Sequence, residues 1–236
     1  MSSTGRPGGS GPSATGGVLE TTEVPGLFDV VASEVTFAGK IIDVRVDQVV
    51  MPGGRVAARE VVGHHRAVAI VALDEQDRVV LVGQYRHPFR RRLWELPAGL
   101  LDIEGEQPQP AAARELAEEV GLQAGDWQVL VDSVPSPGIM DESVRIYLAR
   151  DLTDIGRQGE ISDEEADLSI VRTPLAAAVS AVFKGDIVNA NAVIGILAAQ
   201  VALQQQRQLR AGDDPWTTGQ ALVRTAAEPL QTPPAL

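Results

Sequence analysis

The segment from Gly99 to Leu122, which reads GLLDIEGEQPQPAAARELAEEVGL, constrains the fold of this chain more than any other. Pro108 and Pro110 suit the first turn of a helix and not its interior. Gly121 suits the residue that follows the last helical turn. One face of this helix carries an apolar stripe, made of Ala113, Leu116, Ala117 and Val120. The segment therefore predicts a helix that packs on the rest of the domain through that stripe.

Another face of the same helix is acidic. Glu115 neighbours Glu118 and Glu119, because residues three and four apart lie side by side on a helix. Such like charges repel each other by roughly 0.2–0.5 kcal/mol per pair, unless a cation lies between them. Hard divalent cations such as Mg²⁺ bind oxygen ligands, so the pattern predicts a metal site. Arg114 and Glu118 are four residues apart, and their ion pair is expected to hold the helix and orient the cluster.

The composition limits the possible classes of protein. At 236 residues and 44% hydrophobic content, the chain is long enough for one substantial globular domain with a smaller appendage. The formal charge of −12 argues against non-specific binding to nucleic acid or to a membrane surface. The absence of cysteine excludes disulfides, thiol catalysis and zinc–thiolate sites. With no signal-peptide core near the N-terminus and no apolar run long enough to span a bilayer, we expect a cytoplasmic protein.

The chain divides into four predicted parts. Residues 1–24 are rich in Gly, Ser, Thr and Pro and are expected to form a disordered tail. Residues 25–61 are predicted to form a small antiparallel β-sheet with a hairpin at Pro52-Gly53-Gly54. Residues 62–210 are predicted to form the main domain, and residues 211–236 a loose C-terminal tail.

Strands and helices are mixed along the main domain. Helices are predicted before Gly121, from Pro174 to Gly185, and from Asn189 to about Arg210. Strands are predicted at residues 67–73, 78–85, 93–97, 127–131, 144–149 and 168–172. This order predicts an α+β fold in which helices cover both faces of a sheet as an α/β/α sandwich.

The Gly99–Leu122 segment resembles the Nudix box, which consists of a glycine, a spaced glutamate and then R-E-U-x-E-E-x-G-U, where U is aliphatic. Six residues separate Gly99 from Glu106, where the family usually has five. Glu106 therefore either reaches the start of the helix or is an ordinary loop glutamate. The resemblance implies a Nudix fold over about residues 62–208. The N-terminal sheet is similar to that of the bacterial ADP-ribose pyrophosphatase branch, in which this unit typically packs on the partner subunit of a homodimer. A sheet too small to stand alone is consistent with such packing, swapped between subunits, and equally with packing on its own chain.

The resemblance also implies a ligand set. Glu115, Glu119 and the backbone carbonyl of Ala98 correspond to the family's principal ligands for Mg²⁺ or Mn²⁺. Glu118 is a further ligand or a hydrogen-bond acceptor beside them, and it counts among the catalytic residues. A metal in such a cleft would neutralise charge on the phosphate oxygens and align the attacking water.

A general base is still needed to take the proton of that water. The loop Pro137-Gly138-Ile139-Met140-Asp141-Glu142 resembles the family's P-G-x-x-D-E loop and makes Glu142 the preferred base. Glu164 and Glu165 are the alternatives, because some relatives place the base in a loop near that point. The histidines His64, His65 and His87 are expected to have solvated or structural roles.

Substrate contacts are implied by the same branch. Arg86, in the Gln84-Tyr85-Arg86 motif, is expected to contact a phosphate, because its planar guanidinium matches phosphate oxygens. Arg59 and Glu60 are expected to contact ribose or adenosine from the N-terminal sheet. The implied reaction is hydrolysis of ADP-ribose to AMP and ribose 5-phosphate. The alternatives are another nucleoside diphosphate sugar, a dinucleotide, or a non-catalytic domain that senses a nucleotide.

Overall fold

The computed structural model describes residues 28–159 and 167–216. The helices are α1 (Pro108–Val120), α2 (Leu175–Lys184) and α3 (Ala190–Gln204). The strands are β1 (Val30–Ala38), β2 (Ile42–Val50), β3 (Val56–His64), β4 (Ala67–Ala72), β5 (Arg78–Arg86), β6 (Arg91–Glu95), β7 (Ala98–Leu100), β8 (Leu122–Ser133), β9 (Val144–Asp154), β10 (Ser169–Pro174) and β11 (Arg210–Ala211).

In the residues that the structure describes, the main domain is built on two sheets. The larger has the order β11-β8-β9-β4-β7, in which β4 and β9 run parallel and the other neighbours antiparallel. The smaller is antiparallel, with the order β10-β5-β6. Together with helices α1, α2 and α3, these sheets confirm the predicted α+β class.

Strand β4 shows why helices lie on both faces of the larger sheet. Side chains alternate across a strand, so Val68 and Ile70 point to the face covered by α1, while Ala69 and Val71 point to the face covered by α3. All four are fully buried. A strand that is covered on both faces reads as a continuous apolar run, and this explains the Ala67–Leu73 sequence. The α/β/α sandwich follows from that double burial.

The N-terminal segment forms a separate antiparallel sheet of β1, β2 and β3. The predicted hairpin is confirmed at its turn, where the Met51 N–H donates to the Arg55 carbonyl at 2.9 Å and the Gly54 N–H donates to the Met51 carbonyl at 2.7 Å. Gly54 has φ 78°, a conformation that glycine adopts without steric cost. The turn therefore fixes the register of β2 and β3.

The predicted end of the last helix is wrong. Helix α3 ends at Gln204 rather than near Arg210, and Gln206 adopts a left-handed φ of 48°. Residues 205–208 are all polar and give a longer helix no apolar stripe to pack against the domain. The helix therefore ends, and tertiary contacts determine the path of the chain. The chain turns back and pairs Arg210 with Val129 of β8 as strand β11. None of the helices in the described ranges is long and apolar enough to cross a membrane.

The expectation of a loose tail from Ala211 is wrong for residues 211–216. The Trp216 side chain is buried, and the carbonyls of Asp214 and Pro215 accept hydrogen bonds from the Arg145 guanidinium. The predicted N-terminal tail and residues 217–236 lie outside the described residues. The predicted domain boundaries remain predictions.

Candidate active site

Helix α1 presents its acidic face beside strand β7. The helix begins at Pro108, and Gly121 closes it with φ 70° while its N–H donates to the Ala117 carbonyl at 3.1 Å. Its apolar side chains Ala111, Ala112 and Leu116 are buried against β4 and neighbouring strands. Because these buried side chains fix the helix against the sheet, the carboxylates beside them are held at the edge of the sheet. Ala113, which was predicted to belong to the apolar stripe, is exposed.

Arg114 binds two of these carboxylates and that of Glu106 in the loop before the helix. Its Nε and Nη2 donate to the two carboxylate oxygens of Glu106, both at 3.0 Å. Its Nη1 donates to Glu115 at 2.7 Å and to Glu118 at 3.2 Å. Hydrogen bonds from the guanidinium to Glu106, followed by the charge of Glu115, raise the pKa of Arg114 despite the opposing effect of burial. Glu106 thus lies at the helix, and the predicted pair of Arg114 and Glu118 is confirmed.

Glu119 occupies a more enclosed position than the other carboxylates. Only 7% of the residue is exposed, and its Oε2 accepts a hydrogen bond from the backbone N–H of Ala98 at 3.0 Å. This contact joins α1 to β7, which pairs with β4 through Ala98 and Gly99. A buried carboxylate that is bound to a strand backbone is held in one orientation, as a metal ligand requires.

The backbone at Gly99 leaves the space that Glu115 needs. A Cβ atom at Gly99 would lie 2.0 Å from Cδ of Glu115, far inside van der Waals contact. The carboxylate of Glu115 therefore lies directly against the β7 backbone, next to Ala98. This close approach brings Glu115, Glu119 and the Ala98 peptide, the three predicted ligands, to one place.

The donor set consists of oxygen atoms, which suits a hard divalent cation. In the part of the chain that the structure describes, no group of three or more acidic or imidazole side chains is already arranged around a common metal position. The Arg114 guanidinium lies among these carboxylates and neutralises part of their charge. The chemistry of the donors and the cradle at Gly99 fit a metal, and the ligand assignment remains a prediction.

The loop that carries the preferred base follows strand β8. The N–H groups of Ile139 and Met140 both donate to the Ser136 carbonyl, at 3.1 and 2.9 Å, and this folds the loop into a turn. The Glu142 side chain is 20% exposed, and its Oε1 lies 3.7 Å from Nδ1 of His64. The alternative bases Glu164 and Glu165 lie outside the described residues.

Arg86 has a partner that the sequence analysis missed. Its Nε and Nη2 donate to the two carboxylate oxygens of Glu95 on β6, at 2.9 and 2.7 Å. The Glu95 side chain is only 4% exposed, whereas that of Arg86 is 44% exposed. A charged residue between the apolar side chains of Trp94 and Leu96, at the buried end of β6, was the signal that could have revealed it. The pair fixes the Arg86 guanidinium at the surface.

Arg59 and Glu60 lie on strand β3 of the N-terminal sheet and are exposed. Arg59 donates to the Ala58 carbonyl at 2.8 Å and to the sulfur of Met51 at 3.4 Å. Both lie in the sheet of β1, β2 and β3, which is separate from the sheet that contains β7. The structure thus brings together the helix carboxylates and Ala98, and it leaves this pair on a different element.

The chain matches two family profiles. The NUDIX domain profile matches residues 63–190, and that of the nucleoside diphosphate sugar hydrolase N-terminal domain matches residues 28–62. The first range contains the α1 cluster, Arg86 and the loop of Glu142, and the second contains β1, β2 and most of β3.

Among similar proteins, an ADP-ribose pyrophosphatase of Mycobacterium tuberculosis is 51% identical over 189 residues, which cover 80% of this chain and 91% of that protein. An ADP-ribose pyrophosphatase of Bacillus subtilis is 35% identical, covering 75% of this chain and 96% of that protein. A crystal structure of an ADP compounds hydrolase superposes with a TM-score of 0.68 at 26% identity, covering 76% of this chain and 95% of that one.

Proposed function

We propose that this chain, which belongs to the Nudix family, hydrolyses the diphosphate bond of ADP-ribose to give AMP and ribose 5-phosphate. The observation that carries the proposal is the carboxylate cluster of α1 beside the Ala98 backbone. The names of the similar proteins from Mycobacterium tuberculosis and Bacillus subtilis support the substrate. The name of the structurally similar ADP compounds hydrolase supports the same substrate class.

The proposed reaction uses a divalent cation, as Nudix hydrolases generally do. Glu115, Glu119 and the Ala98 carbonyl would hold it, with Glu118 as a further ligand or acceptor. When bound, Mg²⁺ or Mn²⁺ supplies positive charge to the phosphate oxygens and favours activation of water. Arg114 holds Glu115 and Glu118 in place before the cation binds, which reduces the cost of bringing like charges together.

Residues outside α1 and β7 have the remaining roles in this proposal. Glu142 accepts a proton from water as the water oxygen forms a bond to one phosphorus and the bridging P–O bond breaks. The leaving phosphate takes the electron pair of that bond. Arg86, held by Glu95, contacts a phosphate oxygen of the substrate. Arg59 and Glu60 contact the ribose or adenosine.

Incubation with ADP-ribose and Mg²⁺ tests the proposal directly. We expect AMP and ribose 5-phosphate to appear together, and no product when the divalent cation is chelated.

A panel of other nucleoside diphosphate sugars and dinucleotides at equal concentration tests the alternative substrates. A clear preference for a non-ribose sugar would exclude ADP-ribose as the preferred substrate. Nucleotide binding without turnover would favour a sensing domain. Hydrolysis in heavy-oxygen water identifies the attacked phosphorus, because only one product carries the label.

We expect the substitution Gly99→Ala to weaken the affinity for the cation while the fold persists. The new Cβ would displace the Glu115 side chain, whose carbons lie within 2.4 Å of it, and this side chain is flexible enough to move aside. The concentration of Mg²⁺ required for half-maximal rate should rise about 10-fold or more, the scale seen when the support of a metal ligand is lost. The measurement is a Mg²⁺ titration of the initial rate.

The matched control is Gly53→Ala in the β2–β3 turn, because no atom lies within 4 Å of a Cβ built there. This variant should show the wild-type Mg²⁺ dependence. If Gly99→Ala also shows it, Glu115 does not depend on the space at Gly99 and the proposed ligand set is wrong.

We also propose that the N-terminal sheet packs on a second copy of the chain. Every residue of β1 is exposed, including Val30, Val31, Val35 and Phe37. Apolar side chains on an edge strand favour association, and a three-stranded sheet of this size is marginal alone. A structure of the dimer tests whether the sheet is swapped between subunits.

We expect Phe37→Asp to convert a homodimer to a monomer, because it places a charge at a side chain that is 54% exposed within this apolar patch. Sedimentation velocity at micromolar concentration measures the change. Glu34→Gln on the same strand is the control and should remain dimeric. A wild-type chain that sediments as a monomer contradicts the proposal.

The cytoplasmic location expected from the sequence also remains a proposal. Fractionation of cells that express the full chain tests it, with the protein expected in the same fraction as a cytoplasmic marker enzyme.

A further inference from the structure

The C-terminal segment, Arg210–Trp216, contacts the first turn of α1. Gly212 is buried within this segment, and a Cβ atom there would lie 3.2 Å from Cδ of Gln109 in that turn. The same Cβ atom would lie 2.9 Å from the carbonyl oxygen of Trp127 on β8. The backbone at Gly212 therefore lies close to both the larger sheet and the start of the acidic helix.

Two guanidinium groups lie over the ring of Trp216. The Cζ atom of Arg66 is 5.2 Å from the ring centre, and that of Arg145 is 5.1 Å from it. A cation within about 6 Å of an aromatic face is attracted to it, and more strongly where water is excluded. Only 5% of Trp216 is exposed. The indole N–H finds no hydrogen-bond acceptor among the described residues, so packing and these cations hold the ring.

Arg66 connects this ring to the loop before α1. The Arg66 carbonyl accepts a hydrogen bond from the backbone N–H of Leu101 at 2.8 Å. Leu101 directly follows β7 and begins the loop that leads to α1. The same loop carries Glu106, whose two carboxylate oxygens accept from Arg114. Trp216 is therefore linked to the acidic cluster through the backbone of Arg66.

The C-terminal segment thus contacts the loop–helix unit at two points, the start of α1 and the anchor of the loop. The NUDIX domain match ends at residue 190, so this segment lies beyond it. We propose that Trp216 is a positioning residue, which holds the loop before α1 in place and so arranges the carboxylate cluster before a divalent cation binds. This inference rests on the proposed function, in which that cluster holds the cation.

Isothermal titration calorimetry with Mg²⁺ alone tests the inference in full-length variants. Trp216→Ala should raise the Kd for Mg²⁺ about 10-fold, the lower end of the loss expected when the support behind metal ligands is removed. Binding becomes weaker because the cation must then order the loop itself. The Mg²⁺ concentration for half-maximal ADP-ribose hydrolysis should rise by the same factor, and kcat at saturating Mg²⁺ should change by less than about twofold. Trp216→Phe retains an aromatic ring and should recover most of the affinity.

Hydrogen exchange measures the position of the loop without substrate or metal. The amide of Leu101 should exchange about 10-fold faster in Trp216→Ala, because its acceptor, the Arg66 carbonyl, is no longer fixed by the ring. Gly212→Ala adds one methyl group beside the Trp127 carbonyl and leaves the indole ring in place. This milder variant should shift both the exchange rate and the Kd for Mg²⁺ in the same direction.

The matched control is Ile187→Ala, which creates a cavity in the core on the opposite, α3 face of the sheet. It should lower the stability of the fold while the Kd for Mg²⁺ and the exchange of Leu101 stay at wild-type values. Equal changes in Ile187→Ala and Trp216→Ala would show only a general loss of stability and overturn the inference. A wild-type Kd in Trp216→Ala also overturns it; if that variant does not fold, a wild-type Kd in Gly212→Ala does so.

The failure of this inference differs from the failure of the proposed function. If wild-type protein binds Mg²⁺ but does not hydrolyse ADP-ribose, the proposed reaction fails, and the calorimetry still decides the role of Trp216. If Glu119→Gln loses Mg²⁺ binding and Trp216→Ala retains it, the ligand assignment stands and the positioning inference fails. If wild-type protein does not bind Mg²⁺, the metal site and the positioning inference fail together.

Discussion

Replacement of Glu119 by Gln should lower kcat for ADP-ribose hydrolysis by about 10²–10³-fold. A bound cation stabilises the transition state by several kcal/mol, and each tenfold change in rate corresponds to about 1.4 kcal/mol. Glu119 is the most enclosed of the α1 carboxylates, because only 7% of the residue is exposed. Gln has nearly the same shape, and its side-chain oxygen can still accept from the Ala98 N–H. The negative charge that attracts the cation is lost, whereas the link between α1 and β7 persists.

The measurement is steady-state kinetics over a range of Mg²⁺ concentrations, with circular dichroism to check the fold. Glu104→Gln is the matched control, because Glu104 is exposed in the loop that precedes α1 and the change removes the same charge. That variant should turn over substrate at the wild-type rate. Equal rates in the Glu119→Gln variant and the wild type would show that the metal site has been assigned to the wrong residues.

The sequence was sufficient where local chemistry decides the structure. Pro108 and Gly121 mark the ends of α1 because each acts through its own backbone conformation. The apolar run of β4 predicts a strand buried on both faces for a similarly local reason. The pair of Arg114 and Glu118 follows from helical spacing alone. The predicted Nudix family is confirmed by the match over residues 63–190.

The sequence was insufficient where distant segments meet. Glu95 on β6 binds Arg86 on the neighbouring strand β5, and Asp141 binds Arg45, which is 96 positions away in the sequence. No periodicity records such contacts, because they depend on which strands become neighbours. The end of α3 was missed for the same reason, since the return of the chain to pair at Arg210 is a tertiary event. Glu106 was left open because the extra residue before it obscured a contact that the folded loop makes directly.

The C-terminal segment from Arg210 to Trp216 depends on one buried cation. The Arg145 side chain is 1% exposed, and its Nε and Nη2 donate to the Asp132 carboxylate at 2.8 and 3.1 Å. Its guanidinium carbon lies 5.1 Å from the centre of the Trp216 ring. The guanidinium also donates to the Asp214 and Pro215 carbonyls. Arg145 thus joins β9, β8 and the C-terminal segment at one point.

We expect Arg145→Met to lower the free energy of unfolding by about 3 kcal/mol, the lower end of the cost of breaking a buried ion pair from one side. Met fills much of the volume but leaves the Asp132 carboxylate, which is 10% exposed, without its closest cation. Arg210, at 2.9 Å, still pairs with Asp132 and limits the loss. Urea denaturation, followed by circular dichroism, measures the change at constant slope.

Two further variants decide whether the charge or the volume is responsible. Arg150→Met removes an exposed pair with Asp77, and it should cost less than about 1 kcal/mol. The double variant Asp132→Leu/Arg145→Met removes both buried charges, and it should recover part of the stability that Arg145→Met loses, because no uncompensated carboxylate remains. A double variant less stable than Arg145→Met would show instead that the carboxylate of Asp132 stabilises this end of the sheet mainly through Arg210, and that the buried pair contributes little.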